Sequence, residues 1–128
     1  MPAWGYAEHL AILKCLVSGR LIDGPEKGKL YTKIREMTGC RYVFGFNSGQ
    51  AAIQAALTAH GVKGCQVIMP SYCCKTVARA VIDSGAQPLF SDIGDDYNPA
   101  VKQILSLINP SVKAIVFPHL FGSPGRID

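Results

Sequence analysis

Apolar residues recur at helical spacing through the first segment, Trp4 to Val17, at Leu10, Leu13, Leu16 and Val17, and Gly19 ends the run. The stretch Leu21-Ile22-Asp23-Gly24-Pro25 reads as an irregular connection. Pro25 suits the first turn of a second helix reaching Thr38, with Leu30, Ile34 and Met37 as its buried stripe and Gly39 as its stop. From Arg41 the pattern changes. Arg41 to Phe46 is aromatic and β-branched and predicts a strand; Gln66 to Met69, Pro88 to Ser91 and Val112 to Pro118 predict three more. Between them, Ser48 to His60, Cys74 to Ser84 and Pro99 to Ile108 predict helices, the first two closed by Gly61 and Gly85. Strands alternating with helices are the signature of a parallel sheet. The unbroken apolar run Ala114-Ile115-Val116-Phe117 implies strands covered on both faces. The tail from Gly122 to Asp128 reads as a loop.

Composition narrows this picture. Apolar residues make up 48% of the 128 and charged residues 17%, which suits a packed core and not a disordered chain. The net charge of +4 comes from scattered basic residues, with no Lys/Arg run, and points away from nucleic acid. Glu8 and His9 interrupt the first apolar stretch, which is not a signal peptide, and no apolar run of membrane-spanning length occurs. Cys15, Cys40, Cys65, Cys73 and Cys74 are odd in number and lack zinc-site spacing; no metal site is expected, and mostly buried, reduced thiols in the cytoplasm are the simplest reading.

Four segments carry candidate chemistry, all where a strand gives way to a helix or loop. Asn47-Ser48-Gly49-Gln50 opens a helix, where free backbone N–H groups and the helix dipole favour an anion. An ordinary N-cap explains the same residues. Pro70-Ser71-Tyr72-Cys73-Cys74-Lys75 leaves the second strand; Lys75 reads as a hydrated surface charge and the two thiols as buried and inert. Asp92 ends the third strand, either facing a polar ligand or satisfying loop amides, while Asp95 and Asp96 read as solvated loop charges. His119 follows the fourth strand, as an acid/base, a contact for a cofactor ring, or a hydrogen-bonded structural histidine. His9 and His60 have no evident partners. In open α/β sheets ligands sit at the carboxyl ends of the strands, so these segments are expected on one edge.

In order and spacing, VFGFNSGQAAIQAAL, GCQVIMPSYCCKTVARAVIDSGAQPLFSDI and VKAIVFPHLFG resemble the DegT/DnrJ/EryC1/StrS family of PLP-dependent (pyridoxal 5′-phosphate) sugar aminotransferases. The likeness runs from about Leu21 to the end. It implies an incomplete α/β/α large domain of the aspartate aminotransferase-like, fold type I kind over residues 25–128, preceded by a helix and connection over residues 1–24. It implies PLP as cofactor, nucleotide-linked keto-sugars and an amino-acid donor as substrates, and a homodimer.

Residue by residue, the family's phosphate-binding Ser-Gly-Thr turn corresponds to Ser48-Gly49-Gln50, with the hydroxyl lost at Gln50. The family's ring-stacking aromatic corresponds to Cys74, and Tyr72 stands nearby. Asp92 and His119 match the family's strand-end Asp and its His-x-x-Gly turn, near the site. No position matches the family's Schiff-base lysine or the acidic partner of the pyridine nitrogen, so no catalytic residue is assigned and the chain alone is expected not to transaminate. The rival expectation is a non-catalytic α/β binding or interaction module. A Rossmann-type binder is disfavoured by the absence of Gly-x-Gly-x-x-Gly after the first predicted strand.

Overall fold

The computed structural model describes residues 4–19 and 24–125. The predicted connection at Leu21–Asp23 and the last three residues, 126–128, lie outside them. The chain divides into two compact units, Met1–Phe44 and Gly45–Asp128.

The first unit holds α1 (Tyr6–Ser18) and α2 (Pro25–Thr38). Both begin and end where the sequence predicts, within two residues. At the start of α1 the Glu8 carboxylate accepts from the Gly5 amide at 2.7 Å, satisfying one of the free N–H groups of the first turn. His9, which the sequence leaves without a partner, has Nδ1 2.7 Å from the Gly5 carbonyl and its ring against Trp4. Pro25 occupies the first turn of α2, and Gly39 closes it at φ 70°, a left-handed conformation that a Cβ disfavours. The predicted buried stripe of α2 is not buried: Leu30 is 57% and Met37 75% exposed. Helical spacing decides which face is apolar, but another element must lie on that face to bury it.

The second unit carries α3 (Gly49–Ala59), β1 (Gln66–Pro70), α4 (Lys75–Asp83), β2 (Gln87–Ser91), α5 (Val101–Leu107), β3 (Val112–Ile115) and a 3₁₀ turn at Leu120–Gly122. The strands form one parallel sheet in the order β2-β1-β3. β1 is central and hydrogen-bonded on both sides, and Val67 to Pro70 are all buried. Val67 and Met69 point into a cluster with Leu57 of α3 and Val81 of α4, so α3 and α4 cover that face. α5 packs on β2, and its Ile104 is buried outside that cluster. The order of strands accounts for this: the chain steps from β1 to β2 on one side and returns past β1 to β3 on the other. Right-handed crossovers then require opposite faces for α4 and α5. The result is the expected three-layer α/β/α arrangement.

Two expectations change. Arg41–Phe46 forms no strand; Tyr42, Phe44 and Phe46 alternate along an unpaired, largely exposed backbone. Its residue types favour extended chain, but a strand exists only as half of a ladder, and no described strand lies beside it. Burial on both faces holds for β1 but not for β3, where Ile115 is 45% exposed and burial alternates. The pairing of β1 with β3 also slips by one residue: Gln66 faces Val112, and Val67 faces Ala114.

Met69 is 1% exposed at the centre of the packed layer. Met69→Ala is expected to lower unfolding free energy by about 2–5 kcal/mol, read from urea titration. An equal change at the exposed Met37 is expected to be within about 0.5 kcal/mol.

Candidate functional site

The residues singled out in the sequence converge on one edge of the second unit because of the topology. β1, β2 and β3 are parallel, so the segments that leave them emerge together. α3 is joined to β1 by the short link His60–Cys65, made tight by Gly61 and Gly64 at φ 72° and 76°, and runs antiparallel to β1 along the sheet. Its N-terminus therefore lies at the carboxyl edge, with the turns that carry Cys74, Asp92 and His119.

Ser48 is the N-cap of α3: its backbone is extended and its hydroxyl accepts from the Ala51 amide at 3.2 Å. Ala52 N–H donates to the Ser48 carbonyl. Among the described residues, no acceptor is recorded for the amides of Gly49 and Gln50, the two donors left over in the first turn. Gly49 is exposed, with open space where a Cβ would stand. Gln50 is half-buried. Two free N–H groups at the positive end of an eleven-residue helix suit the oxygens of a phosphate monoester.

After β1, Cys74 takes the N-cap position of α4 and is exposed, contrary to the expectation of a buried thiol. None of the five cysteines is buried. Cys73 does pack partly against the core, but the chain turns into α4 directly after it and leaves its neighbour in solvent. The two thiols titrate apart. The Thr76 hydroxyl, 3.1 Å from Sγ, and then the Thr76 backbone amide hold the Cys74 thiol below its ordinary range; slight desolvation opposes this and Lys75 adds to it. Partial burial, and then the charge of Cys74, push the Cys73 thiol up. A thiol is no stacking surface, so the phosphate end of PLP fits this edge better than its ring at position 74.

After β2, Asp92 is exposed, and no hydrogen bond to its carboxylate is recorded among the described residues. Of its two readings, the satisfying of a loop amide falls to Asp96 instead, whose Oδ1 accepts from the Asn98 amide at 3.2 Å. Asp96 is exposed, as expected of a solvated loop charge, and also shapes the turn. Asn98 is 1% exposed; its Nδ2 donates to the Asp96 carbonyl and carboxylate, each at 3.3 Å, and to the Ser123 carbonyl at 3.4 Å. Tyr97 stands at φ 63°, a conformation costing a bulky residue about 1–3 kcal/mol.

After β3, His119 is exposed and its Nδ1 accepts from the Gly125 amide at 3.0 Å. That bond leaves the ring hydrogen on Nε2, which can only donate. Phe121, in the 3₁₀ turn, is a second non-glycine residue in the left-handed region, at φ 55°. Tyr97, Asn98 and Phe121 were not marked by the sequence; Asp96-Tyr97-Asn98 is an Asx-turn pattern that signals at least the local turn.

Residues 4–128 match the model of the DegT/DnrJ/EryC1/StrS aminotransferase family. The chain belongs to that family. Among similar solved structures, a DegT DnrJ EryC1 StrS aminotransferase from Brucella abortus is 31% identical with a TM-score of 0.80, over 92% of this chain and 34% of that one. DesV of S. venezuelae, solved in complex with a ketimine intermediate, is 30% identical with a TM-score of 0.83, over 91% and 32%. NtdA of Bacillus subtilis, solved with bound cofactor PMP, is 30% identical with a TM-score of 0.80, over 87% and 26%. The chain thus spans about a third of the length of the family structures it matches.

The opposite thiol shifts in this family member give a direct test. A depressed thiol favours its folded environment above the ordinary thiol range, and that preference is lost as pH falls through the folded value. A raised thiol does so below the range, and the preference is lost as pH rises through the folded value. Cys74 is therefore expected to react with iodoacetamide faster than Cys73 at neutral pH, as read by peptide mass spectrometry. Thr76→Val is expected to slow Cys74 and leave Cys73 little changed.

Proposed function

We propose that this chain is the cofactor-phosphate-anchoring part of a PLP-dependent aminotransferase that moves an amino group from an amino acid to a nucleotide-linked keto-sugar. The observation that carries the reading is the pair of amides at Gly49 and Gln50 with no acceptor among the described residues, in a Ser48-capped turn at the carboxyl edge of a parallel sheet. Similarity to DesV and NtdA supports the cofactor class, since those structures hold a ketimine intermediate and PMP.

When bound, PLP supplies the electron sink for amino-group transfer. The contributions assigned to this chain are simpler. Gly49 and Gln50 donate backbone N–H groups to the phosphate, and Ser48 holds the first turn open to it by keeping its own hydroxyl on Ala51. Gln50 brings no hydroxyl, so the anchor is weaker than a Ser-Gly-Thr turn by about one charge-assisted hydrogen bond, roughly 1.5–3 kcal/mol. His119 presents an Nε2–H donor and Asp92 an unshared carboxylate on the same edge. Neither is assigned a proton-transfer step, and the chain alone is proposed not to transaminate. Assembly as a homodimer in the cytoplasm belongs to the same proposal.

A second reading, a non-catalytic binding or interaction module, is favoured by one feature: Cys74 at the position where a stacking ring is expected.

Titration of PLP into the chain, followed by cofactor absorbance, tests the choice. Saturable binding is expected. Gly49→Ala is expected to leave the fold intact, since its Cβ meets open space, yet weaken binding about tenfold by crowding the phosphate. Gln50→Thr is expected to tighten binding about ten- to a hundredfold. Absence of saturable binding, together with tight self-association, would decide for the module.

A further inference from the structure

We propose that the dipeptide Tyr97-Asn98 is a positioning element that fastens the three carboxyl-edge segments of the second unit to one another. The inference rests on the reading of that edge as the cofactor-phosphate site. Tyr97 is held in the left-handed region, and this turns two consecutive side chains to different tasks. The Tyr97 ring stays half-exposed and touches Tyr72, in the segment after β1, with centroids 6.0 Å apart. It also meets Phe121, in the segment after β3, edge-on at 5.7 Å. Asn98 goes the other way, into the interior, and its amide donates both to its own loop at Asp96 and across to the Ser123 carbonyl. One dipeptide in the segment after β2 thus holds both of the others.

These contacts lie outside the packed cluster of Leu57, Val62, Val67, Met69, Val81 and Ala86. They hold instead the segments that carry Cys74, Asp92 and His119. Two bulky residues at positive φ meeting across adjacent loops is the kind of strain that surrounding structure retains where placement matters. Among the described residues no donor reaches the buried Asn98 Oδ1, so the bonds of its Nδ2 are what orient the amide.

The variants that test this are Tyr97→Asn, which keeps a side chain tolerant of the left-handed region while removing the ring, and Tyr97→Phe, which keeps the ring. Amide hydrogen exchange by mass spectrometry on the chain reads the coupling without any ligand. Tyr97→Asn is expected to speed exchange at least fivefold in residues 119–125, a segment distant in sequence, and to leave β1 and α3 unchanged. Tyr97→Phe is expected to match the parent chain. The same proteins titrated with PLP are expected to show weaker binding for Tyr97→Asn by about five- to tenfold, at an unchanged or higher melting temperature. Unchanged exchange in residues 119–125 overturns the coupling. Faster exchange with unaltered PLP affinity overturns the positioning role. If the parent chain binds no PLP, the reading of the site fails separately, and exchange alone decides whether the dipeptide joins the segments.

Discussion

β1 is the part of the second unit on which the others depend. It is paired on both sides, and four of its five residues are buried. In such a strand every backbone group must find its partner in a neighbouring strand, because water cannot reach it. That requirement fixes β2 and β3 beside it, and their parallel direction sends all three following segments out at one end. Connection of α3 to β1 by a short link then brings the capped helix start to the same end. The candidate site is a consequence of satisfying one buried strand.

Much of this was legible in the sequence, for physical reasons that differ from element to element. The ends of helices were clear because Gly19, Gly39, Gly61 and Gly85 all adopt positive φ, which few other residues accept. β1 and β2 were clear because short apolar runs stood between turn residues. Arg41–Phe46 misled because β-preference measures fit to a pleated surface, whereas pairing depends on a partner remote in sequence. The stripe of α2 misled in a related way: Leu30 and Met37 mark a face, and periodicity is silent on what covers it.

The site divides along the same line. Ser48 was readable as a cap, since capping is a local bond between a side chain and an amide three residues on. The exposure of Cys74 was not, since it depends on the residue at which α4 starts. The link from Asn98 to Ser123 spans 25 positions and has no periodic signature, so only the folded chain displays it. Asp92 shows the limit of residue-type reasoning: the loop needed an acidic acceptor, and Asp96, four positions later, fills that need.

The slip between β1 and β3 has its own effect on chemistry in the interior. Side chains across a parallel pair point to the same side, and Val67 points to the layer formed with Leu57 and Val81. Had the ladder continued evenly from Gln66 and Val112, the residue abreast of Val67 would have been Lys113, with an ammonium group aimed at hydrocarbon. The extra residue lets the lysine remain in solvent and delivers Ala114 and then Val116 to the inside. An irregular step in the ladder is how this strand keeps a cation out of the oil.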